Sequence, residues 1–339
     1  MRRPLRALAP LVGLLLIAAA CAAPRQAAST ATPAGTAAAS ATPSFEGKTL
    51  NIVTGGTGGV YIVYGAGLAD LLNKKLRVAA SPQSTTASVD NMKLIRDGKA
   101  DLAFVLADTA YDAVNGKGSF ATETKADAKN LAVLYNNFTH VIVKDDSAIK
   151  AIADLKGKRV SMGSAGSGTE IIANRTLEAY GMDPATDIQR ERLGVADSAA
   201  ALKDNKIDAF FWSGGLPTAA VTDLTSTTKI RVLEQTDGIK KMAEKYGPFY
   251  FTTKIPKGTY GLAADVTVSG VANLLVVNSK FDAAFATAIL ATMFDNQSDL
   301  GTIHPEGKNL KLESAVEGSP IDYHQGAIDY YKSKGAWKK

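Results

Sequence analysis

The side chains that enzymes most often use for catalysis are scarce in this sequence. Its three histidines are His140, His304 and His324, and none has a second histidine or a cysteine at a metal-binding spacing. No paired base and nucleophile of a Ser-His or Cys-His hydrolase is visible either. We therefore predict a protein without catalytic residues, metal or cofactor.

Two carboxylates are candidates for a general base, and each also has a structural explanation. Ser167 and Glu170 have the spacing of a capping box, in which the Glu170 side chain accepts from the Ser167 N–H. Asp108 follows a predicted strand and either caps the next helix or reaches a ligand at the end of the strand. A secreted α/β enzyme that acts on a small organic acid, with one of these carboxylates as its base, is the alternative function.

Two glycine-rich turns have the composition of anion-binding loops. They span residues 55–61 (GGTGGVY) and 163–170 (GSAGSGTE), and each lies between a strand-like and a helix-like pattern. Glycine lets the backbone approach a ligand closely, and a helix start offers free N–H groups and partial positive charge. The second turn has the glycine spacing of a phosphate loop, but Thr169 stands in place of its lysine. This substitution argues against nucleotide hydrolysis.

The two turns belong to a longer internal repeat. Residues 91–105 align with residues 198–212 at an offset of 107, nearly the offset of the turns themselves. In each copy an apolar helix ends at a residue suited to a left-handed cap, Gly98 or Asn205, and an aspartate then opens a buried strand. The repeat predicts two similar lobes that face each other across a cleft.

Neutral hydrogen-bond donors and aromatic rings near the strand ends form the candidate ligand-binding set. Trp212 either lies flat on the ligand or packs in the core. Several converging hydroxyl and N–H groups can hold a carboxylate without a buried arginine, so we expect a small carboxylate or amino-acid ligand. The predicted ligand-binding residues are Thr57, Gly58, Gly59, Tyr61, Ser84, Thr85, Asp108, Asn136, Gly166, Ser167, Gly168, Thr169, Trp212, Ser213 and Gly214.

Strand and helix patterns alternate along the chain, which predicts an α/β fold with parallel strands and helices on both faces. The predicted strands are Leu50–Thr54, Leu76–Ala80, Asp101–Leu106, Leu131–Tyr135, His140–Lys144, Arg159–Gly163, Ile188–Leu193, Ile207–Trp212, Ile230–Leu233 and the β-branched block Val266–Asn278. The predicted helices are Val60–Lys74, Ser88–Arg96, Asp108–Val114, Gly168–Tyr180, Ser198–Asn205, Thr218–Thr225, Ile239–Tyr246 and Phe281–Phe294.

The amino terminus has the pattern of a bacterial lipoprotein signal. A basic start and an apolar run lead to Cys21, the single cysteine, which follows Ile17–Ala20 as a lipid-bearing cysteine would. Ordinary cleavage near Ala23 is the alternative. Residues 1–21 are thus a signal segment, and residues 22–45, rich in Ala, Thr, Ser and Pro, are a disordered linker. We expect a protein on the periplasmic or extracytoplasmic face of the membrane, anchored by lipid at Cys21.

Charge and hydropathy exclude other classes of partner. Removing Arg2, Arg3 and Arg6 with the signal lowers the formal net charge from +5 to +2, which is too small to indicate nucleic-acid binding. After Cys21 no apolar run reaches the roughly 18 residues of a membrane span. We expect a monomer whose role at the membrane is exerted through a partner protein.

The order of the elements predicts how the lobes are connected. Lobe 1 is discontinuous and comprises residues 46–143 and 258–339, while lobe 2 comprises residues 144–257. The chain therefore crosses between the lobes twice, and two crossing segments make a hinge.

The chain resembles the TAXI group of solute-binding proteins, the TRAP-transporter-associated extracytoplasmic immunogenic family. The resemblance covers nearly all of the chain after the linker. It rests on Thr54–Tyr61, Asp101–Val105, Ala110–Asp112, Ala153–Val160, Gly163–Glu170, Ile207–Thr218 and Ile255–Tyr260.

The resemblance implies a fold, a partner and a ligand class. The fold is the two-lobed type II periplasmic binding protein, with a hinge between two doubly wound sheets. The partners are TRAP membrane permease subunits driven by an ion gradient, and the group's ligands include glutamate-like amino acids and 2-oxoglutarate. The loops around Thr57, Ser84, Ser167 and Trp212 would line the cleft, although Ser84–Ser88 is less rich in glycine than the family's loop.

Overall fold

The computed structural model describes residues 44–338. The predicted signal segment, Cys21 and nearly all of the predicted linker lie outside the described residues. The strands are β1 (Thr49–Val53), β2 (Ala79–Gln83), β3 (Leu102–Leu106), β4 (Ala128–Lys144), β5 (Arg159–Ser161), β6 (Gln189–Glu191), β7 (Ala209–Gly214), β8 (Ile230–Val232), β9 (Phe251–Ile255) and β10 (Val266–Asn278). The helices are α1 (Val60–Leu76), α2 (Ser88–Arg96), α3 (Ala107–Asn115), α4 (Gly168–Ala179), α5 (Val195–Lys203), α6 (Ala219–Thr225), α7 (Thr236–Tyr246), α8 (Ala283–Asp295), α9 (Gln297–Ile303), α10 (Leu312–Ala315) and α11 (Gln325–Ser333).

The strands form one hydrogen-bonded sheet in the order β2-β1-β3-β10-β4-β7-β5-β6, with β8 paired to β4 and β9 to β10. Pairs among β1, β2 and β3, and among β5, β6 and β7, are parallel. The long strands β4 and β10 run antiparallel to all their neighbours and join the two parallel groups. The predicted α/β class is confirmed, and the two expected sheets are continuous through these shared strands.

Strand β4 corrects the prediction of two short strands with a break at Asn136 and Asn137. Both asparagines remain paired with β10, opposite Ala272 and Val271. Pairing with a neighbouring strand therefore outweighs the low β propensity of asparagine.

The second strand and the start of the fifth helix also differ from their predicted positions. α1 continues to Leu76 and ends at Arg77, which adopts a left-handed conformation with its N–H bonded to the Asn73 carbonyl. β2 consequently begins at Ala79 rather than at Leu76. α5 begins at Val195, three residues before the predicted start.

The internal repeat is confirmed by equivalent contacts. Asp101 accepts the Asn51 N–H at 2.7 Å, and Asp208 accepts the Arg159 N–H at 2.8 Å. In each copy the aspartate that precedes one strand accepts a backbone N–H of the neighbouring strand, from the middle of β1 in the first copy and from the start of β5 in the second. The predicted caps, Gly98 and Asn205, both adopt left-handed φ angles, of 66° and 58°.

The buried apolar residues divide into one large core and two small ones. The large core surrounds β1, β3 and the first half of β4, and includes Tyr64 and Phe104. The small cores lie on opposite faces of the second half of β4, where Val141 belongs to one and Ile142 to the other. The period-two alternation of a strand places these neighbours on opposite faces. α4 packs on both parts of the molecule, since Ile172 belongs to the large core and Leu177 to a small one.

Candidate functional site

A cleft lies beyond the carboxyl ends of β1, β3, β5 and β7. The space between its walls and in its mouth totals about 570 Å3. The first wall consists of lining residues from 55–61, 86–88, 106 and 135–137, and the second of lining residues from 163–169, 194–195 and 212–214. A cleft at this edge is where open α/β sheets bind ligands.

The structure brings part of the predicted site together. The predicted residues that line the cleft are Gly59, Tyr61, Ser167, Gly168, Thr169, Trp212, Ser213 and Gly214. The predicted residues that lie outside the lining are Thr57, Gly58, Ser84, Thr85, Asp108, Asn136 and Gly166.

Gly58 and Gly166 join the two walls through their carbonyl groups. The Ala220 N–H at the start of α6 donates to the Gly58 carbonyl at 3.2 Å. The Val89 N–H at the start of α2 donates to the Gly166 carbonyl, also at 3.2 Å. Each glycine-rich turn thus supplies an acceptor for a helix on the opposite side of the cleft.

Ser84 and Thr85 support the first turn from behind instead of facing the cleft. The Ser84 hydroxyl donates to the Gly55 carbonyl at 2.9 Å, and the Thr85 hydroxyl contacts the Asn91 side chain at 2.6 Å. Thr57 and Asn136 are exposed to solvent.

Asp108 is fully buried in an ion-pair cluster outside the cleft. Arg175 on α4 lies 3.4 Å from Asp108 and 2.5 Å from Asp112, which are both on α3, and donates to the Tyr250 hydroxyl at 2.9 Å. Burial raises the pKa of Asp112, an effect that the nearby Arg175 guanidinium opposes. The cluster joins α3 to α4, so the contacts of Asp108 stabilise the packing of these two helices.

Of the two hydrogen bonds of the predicted capping box, the structure contains one. The Ser167 hydroxyl accepts the Glu170 N–H at 3.1 Å, as an N-cap does. The Glu170 carboxylate, however, accepts the Gly166 N–H at 2.9 Å rather than the Ser167 N–H, and it pairs with Arg190 and Arg192. The Ser167 N–H donates to the Ser164 carbonyl, so the turn itself already satisfies that donor.

Four helices begin at the cleft. The N-cap or first residue of α1, α2, α4 and α5 lies in its lining: Gly59, Ser88, Ser167 and Val195. Each helix start carries partial positive charge, and together they favour an anion. No charged side chain is among the lining residues of the described chain. The backbone therefore supplies the positive potential of the cleft.

Trp212 spans the gap between the walls. Its indole N–H donates to the Thr218 hydroxyl at 2.8 Å, which fixes the ring. A methyl group built on Gly59 in the first wall would lie 3.0 Å from the ring, so the glycine makes this approach possible. Trp212 thus forms an apolar floor of the cleft and is held by a polar contact at one end.

The prediction missed a buried polar network behind the first wall. The Tyr61 hydroxyl donates to Asn273 on β10, and the Asn273 amide donates to Asn137 at 2.7 Å. The Asn137 amide in turn contacts the Ser213 hydroxyl of the second wall at 3.4 Å. Burial raises the pKa of Tyr61, so this phenol stays protonated and serves as the donor.

Tyr135, Ser88 and Gly194 also line the cleft and were absent from the predicted set. The alternation of side chains along a strand could have predicted Tyr135, because Tyr135 and Asn137 lie on one face of β4 and Asn136 lies on the other. In residues 44–338 no group of three or more His, Cys, Asp and Glu side chains is arranged to hold a metal. Within the same residues no helix is both long and apolar enough to cross a membrane.

Comparison with solved structures identifies the fold. A binding-protein component of an ABC phosphonate transporter from Pseudomonas aeruginosa is 11% identical, with 77% of this chain and 79% of that chain covered and a TM-score of 0.53. A protein from Bordetella bronchiseptica is 18% identical, with 84% and 89% covered and a TM-score of 0.50. The mixed α/β architecture is that of the type II periplasmic binding proteins.

The family follows from the sequence over most of its length. The model of the NMT1-like family matches residues 52–335, which include both glycine-rich turns and every strand from β2 to β10. The chain belongs to the NMT1-like family.

Proposed function

We propose that this protein is an extracytoplasmic solute-binding receptor that captures a small carboxylate, such as glutamate, glutamine or 2-oxoglutarate, in the cleft. It then delivers the carboxylate to the membrane permease subunits of a TAXI-type TRAP transporter. The observation that carries the proposal is the convergence of four helix starts on a narrow cleft without charged side chains. That arrangement stabilises an anion and supplies no general base.

The fold and its relatives support a role in transport. The similar Pseudomonas aeruginosa protein is a component of a transporter, although an ABC transporter rather than a TRAP transporter. The choice of TRAP subunits as partner rests on the resemblance of Thr54–Tyr61 and Gly163–Glu170 to the TAXI group. The lipid anchor at Cys21 and a monomeric state belong to the same proposal.

Capture works by closure of two lobes, residues 46–143 with 258–339 and residues 144–257. The bonds from Ala220 to Gly58 and from Val89 to Gly166 hold the walls together in the closed form. A ligand that touches both walls binds only this form, so it shifts the population towards closure by its differential affinity. The closed receptor is then the form that the membrane subunits recognise.

Thermal unfolding with a panel of small acids tests ligand capture. Glutamate, glutamine, 2-oxoglutarate, succinate and malate are each added to the purified protein. A true ligand at a hundredfold excess over its Kd stabilises the folded protein by about 2.7 kcal/mol. The same ligand should give a much smaller shift with Trp212→Ala, which removes the floor of the cleft. If no member of a wide panel of organic and amino acids raises the melting temperature, the proposal is wrong.

Reconstituted uptake tests the transporter type. Candidate permease subunits from the same organism, of the TRAP type and of the ABC type, are placed in liposomes, and the labelled ligand is supplied together with the receptor. A TRAP partner predicts uptake that follows an imposed ion gradient and needs no ATP. Uptake that requires ATP and ignores the ion gradient would assign the receptor to an ABC transporter instead.

A further inference from the structure

We infer that the cleft selects an organic anion that carries no ammonium group, so that a 2-oxo acid binds in preference to the amino acid of the same skeleton. We further infer that the Tyr135 hydroxyl donates a hydrogen bond to this ligand. The inference rests on the proposed function and narrows its ligand class.

The first line of evidence is the charge around the cleft. The starts of α1, α2, α4 and α5 place partial positive charge on both walls, and an ammonium group would be repelled by all four. A site that binds an amino acid tightly is expected to offer the ammonium group a negatively charged hydrogen-bond acceptor. In the described chain no aspartate or glutamate lines the cleft.

Three acidic side chains of the surrounding elements lie outside the lining. Asp90 accepts the Thr86 hydroxyl at 2.7 Å. Glu170 pairs with two arginines, and Asp108 pairs with Arg175. None of the three is a lining residue, and burying an ammonium group without a partner is unfavourable.

The second line of evidence is an unsatisfied hydroxyl. Tyr135 lines the cleft, is 3% exposed, and its hydroxyl has no hydrogen-bond partner within residues 44–338. Other lining side chains have partners: the Tyr61 hydroxyl donates to Asn273, the Ser167 hydroxyl accepts the Glu170 N–H, and the Thr169 hydroxyl accepts the Ser213 N–H at 3.2 Å.

A buried donor without a partner is unfavourable unless a ligand meets it. Burial raises the pKa of Tyr135 well above its usual value, so the phenol keeps its proton at neutral pH. The oxygen of a 2-oxo group or of a carboxylate accepts such a proton. This chemistry agrees with the charge argument, because the oxo oxygen replaces the ammonium at the same carbon.

Calorimetric titration with matched pairs tests the selection. The pairs are 2-oxoglutarate with glutamate, pyruvate with alanine, and 4-methyl-2-oxopentanoate with leucine. We expect the tightest ligand to be an oxo acid that binds at least about tenfold more tightly than its amino acid, or about 1.4 kcal/mol. An amino acid that binds as tightly as its oxo acid would overturn this inference and leave the carboxylate receptor intact. Absence of binding by every acid would overturn both.

Two conservative variants test the role of the hydroxyl. Tyr64 is a matched control, because its hydroxyl is also buried without a partner and its ring packs edge-on against Tyr135, but it does not line the cleft. We expect Tyr135→Phe to weaken oxo-acid binding about tenfold and Tyr64→Phe to change it less than twofold. Melting temperatures without ligand confirm that both variants fold. Equal effects of the two variants, or no effect of Tyr135→Phe, would remove Tyr135 from the site.

Discussion

Gly58 and Gly166 occupy equivalent positions in the internal repeat and have nearly the same left-handed backbone, with φ angles of 79° and 78°. Each carbonyl accepts a hydrogen bond from the first turn of a helix on the opposite side of the cleft. The left-handed conformation is accessible to glycine without strain. The two turns therefore connect the two walls reciprocally, and we expect this pair of contacts to be present in the closed form of the proposed capture mechanism.

Substitution of Gly58 should weaken ligand binding. In Gly58→Ala the new Cβ would lie 2.8 Å from the Ala220 Cβ, which forces the walls apart. Gly157→Ala is the control, because Gly157 has a φ of 76° and no atom within 4 Å of an added Cβ. Both variants should lose about 1–2 kcal/mol of stability from backbone strain. Calorimetry should show at least about tenfold weaker ligand binding for Gly58→Ala alone, and equal affinities would contradict the role of this contact.

Loss of Arg175 should strongly destabilise the fold. Arg175→Met leaves the buried carboxylates of Asp108 and Asp112 without their cation, which costs about 3–5 kcal/mol. Lys74→Met removes an exposed pair between side chains that are more than 60% exposed, and should change stability by less than about 0.5 kcal/mol. Urea unfolding measures the free energy of unfolding of both variants. A loss below about 1 kcal/mol for Arg175→Met would show that the cluster is not formed in solution.

His140 should make the protein sensitive to mild acid. Burial lowers the pKa of His140 to about 4, against about 6.5 in the unfolded chain. The unfolded state then binds the proton more tightly, so stability is full above pH 6.5 and falls by about 3 kcal/mol as the pH approaches 4.

The variant His140→Gln isolates this contribution from those of His304 and His324, whose pKa values burial also lowers. Urea unfolding at several pH values between 7 and 4 should give a shallower slope for the variant than for the original chain. Identical slopes would mean that the pKa of His140 is not lowered in the folded state.

Ser167 should contribute to stability as a helix cap. Ser167→Ala removes the acceptor of the Glu170 N–H and should cost about 1 kcal/mol. Ser164→Ala is the control, since Ser164 also lines the cleft but caps no helix with its side chain. Thermal unfolding without ligand compares the two. A larger loss for Ser164→Ala would contradict the assigned cap.

Local patterns predicted most elements of the fold. α2 has the bounds of the helix predicted from periodicity, Ser88–Arg96, and β10 coincides with the β-branched block Val266–Asn278. The error at Asn136 and Asn137 arose because their pairing depends on β10, more than 130 residues away. Pairing between strands so far apart in the sequence cannot be predicted from the local residue pattern.

The sequence predicted the two glycine-rich turns of the site, but it did not predict which side chains face the cleft. Glycine spacing identified both turns, but it did not show that the Gly58 and Gly166 carbonyls face the opposite wall and not the cleft. The bond between Tyr61 and Asn273 joins residues 212 positions apart, and it decides which hydroxyls remain available to a ligand. Which hydroxyl groups can still bind a ligand depends on tertiary contacts, and these cannot be predicted from composition or residue spacing.

A crystal structure of the complex with the acid that gives the largest thermal shift would test anion capture by the helix starts. We expect a carboxylate group of the ligand in the cleft, with its oxygens within about 3.2 Å of backbone N–H groups at the starts of the helices that line it. The body of the ligand should contact Trp212. A ligand bound on another face of the protein, or a carboxylate held by lysine or arginine side chains instead of helix starts, would show that the helix starts do not bind the anion.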